Sequence, residues 1–410
     1  MIRRVLLLSC TLAICHLGKA QSGGSPYSSF GIGDYIHQTW GQGQGLAGAG
    51  IGLRSDLFMN VRNPATYSAL RDPLTTVFSI GLHFSYEQFS TANTIINQRD
   101  GNLSHAALWL KPAPAYGMGI GLEPVSDVQY SIINQRDWAA VSDSYNVINE
   151  GEGGLSRFYW GHSLSLGKNW SFGLQANAYF GSIVQSEQAR AVRQEDTFLA
   201  ETTTQLNGLG FEWGLQWQKQ LGADWLTIGA VFNGGNSLNA NREVVLSSLT
   251  DTLFEEGEAI SENYLIPLSY GFGASWKRPN FLLTTEVLYE GWGSLSREGD
   301  AAWEDVWAFT LGSEFRLTAN SFKEYYQAVV LRTGLSVRNS QLRINGSTFN
   351  QYTASIGLGI PYRSGLNHLN INYSYNQRGK RENGLVLERQ HQIGVSFSLR
   401  DRWFVKRKLF

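Results

Sequence analysis

Several short runs carry residue types that do chemistry elsewhere, and each lacks the surroundings that chemistry needs. Gly43-Gln44-Gly45-Leu46-Ala47-Gly48 matches the G-x-G-x-x-G pattern of dinucleotide-binding turns. Such a turn works between a strand and a helix of a parallel α/β unit, where the helix N-terminus holds the pyrophosphate. Neither neighbour reads here, so the run is a glycine turn. Gly161-His162-Ser163-Leu164-Ser165 approaches the nucleophile turn G-x-S-x-G, but Ser165 stands where the last glycine belongs. Its residues alternate as a strand, which puts His162 and Ser163 on opposite faces. The seven histidines (His16, His37, His83, His105, His162, His368 and His391) show no ligand spacing such as H-E-x-x-H. The acidic stretch from Asp251 to Glu262 lacks the alternating ligands of a calcium loop. The sequence therefore calls for no metal, no cofactor and no catalytic residue, and a non-enzyme is expected.

Five further charges, Glu212, Glu286, Glu314, Arg316 and Arg332, interrupt stretches that otherwise alternate apolar with small or polar residues. A charge facing lipid at the bilayer midplane costs about 2–4 kcal/mol, so these side chains belong inside a lumen. There they are expected to pair with one another and with whatever fills that lumen. A polar permeation path is the alternative.

The elements that must hold these charges are strands. Tyr352, Ala354, Ile356, Leu358 and Ile360 alternate with Thr353, Ser355, Gly357 and Gly359. Phe211, Trp213, Leu215 and Trp217 alternate with Glu212, Gly214, Gln216 and Gln218. The same period runs through 268–276, 365–377 and 392–399. One face is tall, apolar and aromatic. The other is Ser, Asn, Gln and Gly rather than the Lys and Glu of a solvated sandwich. Lipid outside and a filled or wet lumen inside account for both faces, and a sheet in lipid has to close. Candidate strands fall at 74–88, 101–111, 116–137, 155–167, 169–185, 203–220, 224–237, 261–277, 279–291, 303–316, 324–339, 346–360, 365–379 and 385–404. That even number, fourteen, predicts an all-β, antiparallel transmembrane barrel over 74–410. Short turns at 112–114, 168–169, 222–223 and 278–280 alternate with longer, more acidic loops at 138–154, 186–202, 238–260 and 292–302.

Composition agrees. Over 410 residues only 16% are charged and 13% are aromatic. A mean hydropathy of −0.21 is too polar for a bundle of transmembrane helices. The balanced net charge of −1 argues against nucleic acid as a partner. Residues 1–20 read as a signal peptide: Arg3 and Arg4, an apolar run from Val5 to Leu17, then Gly18-Lys19-Ala20 before Gln21. Cleavage there removes Cys10 and Cys15, leaves 30 basic against 34 acidic residues, and directs the chain to a bacterial outer membrane. The C-terminal Val405-Lys406-Arg407-Lys408-Leu409-Phe410 follows an aromatic Trp403-Phe404 pair suited to an interfacial girdle.

Residues 21–73 do not alternate. They begin Ser25-Pro26-Tyr27-Ser28-Ser29-Phe30-Gly31-Ile32-Gly33-Asp34, continue through a Gly/Ala run at 41–53 and reach Asn63-Pro64-Ala65, where Pro64 can start a short helix. This stretch resembles the N-terminal hatch of the FadL family of outer-membrane transporters, and its opening resembles a subgroup from Bacteroidota. The resemblance implies a barrel closed by a plug folded inside it, with Asn63, Pro64 and Ala65 in the hatch motif. It also implies sideways release of a hydrophobic ligand at a kink in the third barrel strand. In this sequence that strand holds Glu123-Pro124-Val125, and proline there marks a bulge or an interruption. Two functions are carried forward. One is a passive channel for hydrophobic or amphipathic small molecules, with outer-membrane lipid around it. The other is a non-transporting accessory subunit of an outer-membrane secretion or barrel-assembly complex, with envelope proteins as partners.

Overall fold

The computed structural model describes residues 24–37, 39–138, 143–191, 197–248, 252–260, 264–295, 301–316, 329–362 and 367–403. Residues 1–20, read from the sequence as a signal peptide, and the basic C-terminal 405–410 lie outside them. The strands are β1 (Asp34–Tyr35), β2 (Thr75–Ser90), β3 (Ile95–Ala113), β4 (Tyr116–Trp138), β5 (Asp143–Leu166), β6 (Trp170–Ala191), β7 (Thr197–Leu221), β8 (Asp224–Ser237), β9 (Asn239–Ser248) and β10 (Thr252–Ile260). They continue with β11 (Leu265–Lys277), β12 (Phe281–Gly291), β13 (Ala301–Trp303), β14 (Val306–Arg316), β15 (Val330–Asn339), β16 (Leu342–Ile344), β17 (Asn350–Tyr362), β18 (Asn367–Arg378) and β19 (Leu387–Arg402).

Fourteen of these form the wall: β2 to β8, β11, β12, β14, β15, β17, β18 and β19, each antiparallel to its neighbour. The last strand returns to the first, from Leu387↔Ser90 to Arg402↔Thr75, and closes the barrel. The period-two pattern becomes two surfaces. On β5, Phe158, Trp160 and Leu164 are exposed while Arg157, Tyr159 and Ser163 are buried. On β7, Phe211, Trp213 and Leu215 face out and Gln216 is buried. His162 and Ser163 do separate: His162 meets the Tyr116 hydroxyl at 2.5 Å, whereas Ser163 donates to the Ala65 carbonyl at 2.8 Å.

Three stretches expected to be loops are strands. β5 and β7 run to 24 and 25 residues, more than twice the roughly 9–11 that cross a bilayer. The halves of β4 to β7 beyond the lipid take up 143–154, 186–191 and 197–202, and β9 and β10 pair as a hairpin inside 238–260. β9 then lines up with the far half of β7, from Phe198↔Ser248 to Asn207↔Asn239. The sheet therefore continues past the membrane on the side opposite the short turns, which is the outer side. There both faces of a strand meet water, so the sequence loses the apolar parity that marks the spanning halves. Within 292–302 a short 3-10 turn at Trp292–Ser294 and β13 replace an open loop, with β13 paired to β16.

Residues 24–74 run along the inside of this wall. Ser25 donates to Glu388 at the outer end of β19 at 2.7 Å, and the Lys111 ammonium near the opposite end of β3 donates to the Ser68 carbonyl at 2.8 Å. Wall glycines make room for this segment. A Cβ on Gly173 or Gly214 would overlap the backbone or side chains of Asn63-Pro64-Ala65, and one on Gly229 would overlap the Ile51 carbonyl. Gly214→Val is therefore expected to leave the barrel closed but to loosen the segment. Overpacking of this kind costs about 1–3 kcal/mol. Limited proteolysis should cut within 24–74 faster than in the parent, while the heat-dependent shift of the barrel on a denaturing gel stays.

Candidate functional site

The N-terminal segment is joined to the wall by groups that sit where water is scarce. Asn63 is fully buried. Its side-chain oxygen accepts from the Ala65 amide at 3.0 Å and so caps a 3-10 turn over Pro64–Ala69. Its amide nitrogen donates to the Ile51 carbonyl at 2.9 Å and reaches the Leu215 carbonyl on β7 at 3.3 Å. Pro64 opens the turn, where its missing N–H is not needed. The Asn-Pro-Ala motif is thus a joint between the segment's own chain and the barrel.

Charges form the other joints. Glu123 and Arg157 stand directly opposite each other on β4 and β5. Arg157 Nε and Nη2 reach Glu123 Oε1 at 2.8 and 2.7 Å, and Trp40 Nε1 donates to Oε2 at 3.0 Å. Arg157 also reaches Glu212 on β7 at 3.4 Å. Glu314 and Arg332 are opposite on β14 and β15 and pair at 2.9 Å. Gln42 donates to the same Glu314 oxygen at 2.8 Å, and Arg332 Nη1 donates to Asn370 at 2.8 Å. Glu286 on β12 accepts the Gly50 and Ile51 amides at 2.8 and 3.0 Å and pairs with Arg62 at 3.1 Å. At the outer end Arg378 holds both Asp34 and Glu388. A buried pair is stabilising only when its remaining hydrogen-bonding positions are filled. The N-terminal segment supplies donors to the carboxylates of three of these pairs: Trp40 to Glu123, Gln42 to Glu314, and the Gly50 and Ile51 amides to Glu286.

Four of the five charges singled out from the pattern, Glu212, Glu286, Glu314 and Arg332, therefore join this network. Arg316 lies at the far end of β14, where its backbone amide donates to the Asn280 carbonyl at 2.9 Å. Sequence reasoning did not single out Arg157, Trp40, Arg62 or Arg378. Arg157 had a signal: it falls on the polar parity of a strand whose other face is Phe158 and Trp160.

His37 has a different chemistry. Its Nδ1 lies 3.2 Å from Glu290. Burial, aided by the nearby Arg338 and Arg62, holds its pKa well below the ordinary 6.5. The ring is therefore neutral, and the contact is an N–H donated to the carboxylate.

The β3–β4 ladder of the wall is interrupted. β3 and β4 pair from Ala113↔Tyr116 only as far as Ala106↔Leu122. Just beyond, the β4–β5 register shifts between Pro124 and Ser126, a bulge at the proline. From there β4 takes its partner from the lumen: Asp34 and Tyr35 of β1 lie against Asp127 and Ser126, and the Ile36 amide donates to the Val125 carbonyl at 2.8 Å. Glu123 points inward at 1% exposure, and Val125 is buried in the same proportion. Behind the interruption is a cavity of about 750 Å³. Its walls carry Asp34, His37, Trp40, Glu87, Asp127 and Arg378.

The model of one protein family, described as BamG, matches residues 1–409. The chain belongs to the BamG family. No curated protein matches the sequence. Among solved structures, the toluene transporter TodX of Pseudomonas putida is similar with a TM-score of 0.62 at 14% identity, over 92% of this chain and 100% of that one. A FadL homologue of Pseudomonas aeruginosa is similar with a TM-score of 0.59 at 13% identity, over 90% and 99% of the two chains. At such identities the likeness is one of fold. This BamG-family chain is thus an outer-membrane-type barrel with FadL-like architecture.

Two tests probe the joints. Arg157→Met leaves Glu123 and Glu212 buried without their cation, which costs about 3–5 kcal/mol. The variant should unfold at clearly lower denaturant, and adding Glu123→Gln should recover part of the loss. For His37, the unfolded ring takes up a proton below about 6.5 while the folded ring does not, so the segment loses stability as pH falls through that value. Proteolysis within 24–40 should be faster at acidic than at neutral pH, and His37→Gln should flatten the difference.

Proposed function

We propose that this protein is a closed, non-conducting barrel that serves as an accessory subunit of an outer-membrane protein complex, with barrel assembly the leading candidate. The observation that carries this reading is the way the N-terminal segment is bonded: Glu123, Glu286, Glu314 and Arg378 each join it to a different part of the wall. A gate for passive flow has to move at small cost. Releasing this segment would strand several buried carboxylates, each costly to leave unpaired. Membership of the BamG family rather than a transporter family supports the same reading. So does the sheet of β4 to β7 with β9 and β10, which stands beyond the lipid as a broad surface for a protein neighbour.

A second reading rests on the wall interruption. The stopped β3–β4 ladder and the bulge at Pro124 lie in the third barrel strand, where a FadL-like side exit is expected. In this reading Glu123, Pro124 and Val125 border a lateral gate for a hydrophobic or amphipathic molecule. The lumen behind it supports this less well, because its lining is charged and hydroxylated rather than greasy.

Mild extraction of the tagged protein from native outer membranes separates the two. A stoichiometric set of envelope proteins, with no conductance of the purified barrel in planar bilayers, is expected. A solitary barrel with a reproducible lipid-like ligand, together with uptake that falls in Pro124→Ala while folding is kept, would replace the first reading with the second.

A further inference from the structure

The cavity behind the wall interruption has a lining unlike an ordinary ligand pocket. Its volume, about 750 Å³, is that of a small-molecule site. Such sites are mostly apolar with a few polar groups. Here nineteen of the forty-seven lining residues are Ser, Thr, Asn or Gln. They come from every side: Ser28 from the N-terminal segment, Asn102 from β3, Ser156 from β5, Thr310 from β14, Thr353 from β17 and Gln392 from β19. An apolar guest would strip water from these groups and return no hydrogen bonds.

The charges narrow the guest further. Seven carboxylates and four guanidiniums line the cavity. Arg62, Arg338 and Arg378 are held by Glu286, Glu290 and the Asp34–Glu388 pair. Arg389, the fourth, has no ion pair among the described residues, but seven carboxylates against four guanidiniums disfavour a phosphate, a sulfate or a carboxylate. Carboxylates and amide oxygens do accept hydroxyl protons, and Ser and Thr hydroxyls both donate and accept. Tyr35 and Trp40 add aromatic side chains to the same lining, Trp40 with its ring stacked on His105 at 3.7 Å.

The position of the mouth completes the argument. Leu103 and Ser104 of β3 and Leu122 and Pro124 of β4 border it, where the two strands are not paired. Leu103 and Leu122 are exposed and lie at the outer end of the apolar stripes of their strands. The opening therefore stands where lipid headgroups meet water. A polar head can enter sideways there while any acyl chains stay in the bilayer.

From these observations we propose that the cavity binds an uncharged, polyhydroxylated, sugar-like group that enters through the β3–β4 opening. Two sources carry this chemistry: the headgroup of an outer-leaflet glycolipid and a free saccharide. The site does not depend on the protein being an accessory subunit, because the cavity and the sheet beyond the lipid are separate surfaces.

The test uses the whole barrel in phosphatidylcholine nanodiscs. Photoreactive glycolipids with uncharged glucosyl, galactosyl and mannosyl heads are compared with the matching free glycosides and with photoreactive phosphatidylglycerol. Crosslinked peptides are then mapped by mass. Labelling of 100–104 and 122–129 by the glycolipids, competed by unlabelled free glycoside, supports the glycolipid source. The same labelling by free glycosides alone supports the site and assigns it to a soluble saccharide. Ser104→Trp, which blocks the mouth, should abolish the labelling. Gln392→Leu changes volume little and should reduce it about tenfold, the effect of one buried hydrogen bond lost. Both variants should keep the heat-dependent gel shift of a folded barrel. Labelling that is equal with phosphatidylglycerol, confined to the apolar band whatever the head, or undiminished in Gln392→Leu would overturn the proposal.

Discussion

Hydrocarbon offers no hydrogen bonds, so every backbone N–H and C=O of a sheet in lipid must find a partner in the sheet itself. The β19–β2 ladder meets that demand for the barrel as a whole, with sixteen residues of β19 matched to β2. Two stretches of the described wall do not meet it: Gly208–Phe211 of β7, between its β8 and β9 ladders, and the part of β4 past Leu122. Past Leu122 the β4 strand leaves β3, and β1 of the N-terminal segment takes over the edge at Ser126 and Asp127. Wall and segment are therefore not container and content. The segment is a structural partner of the wall at the second of these stretches.

That dependence explains the chemistry of the inner face. A barrel meant to hold water has no reason to place Gly173 opposite Gly214 on β6 and β7, with Gly229 on β8 at the diagonal position. A barrel meant to receive a chain does, because a Cβ at any of them would meet Asn63, Pro64, Ala65 or Ile51. The same logic covers the charges. Glu123–Arg157 and Glu314–Arg332 are cross-strand neighbours, so sheet register alone brings them together. Register cannot supply the donors that fill the remaining carboxylate oxygens. Trp40 of the segment fills the second oxygen of Glu123, and Gln42 adds a donor to the Glu314 oxygen that Arg332 holds.

What the sequence revealed follows from where each residue sits relative to lipid. The spanning halves were legible because one face must be apolar, and all fourteen wall strands lie where the alternation of residues such as Ile356, Leu358 and Ile360 puts them. The outer halves of β4 to β7 and the β9–β10 hairpin were not, since water on both faces removes the contrast that parity needs. Glu212, Glu286, Glu314 and Arg332 were legible as luminal because charge is excluded from the lipid face. Their partners were hidden in register and in long-range contacts such as Arg62–Glu286, separated by 224 residues. Pro124 was legible as a break in the ladder, whereas the strand β1 that covers the break is two residues long and has no period to detect.

The likeness to hydrocarbon channels and the contents of the lumen lead to different functions, and the second has the stronger physical claim. A fold is set by strand number, closure and a lipid-facing stripe, all of which are indifferent to what the lumen holds. The lumen is where a guest is selected. Here it is lined by hydroxyls, amides and paired charges, and a bonded strand takes over the β4 edge just beyond the β3–β4 interruption. A toluene-like guest would lose nothing by staying in the bilayer and would gain no partner by leaving it. An inner surface of this kind supports the proposal of a scaffold rather than a passage, with any site in the lumen selecting polar groups.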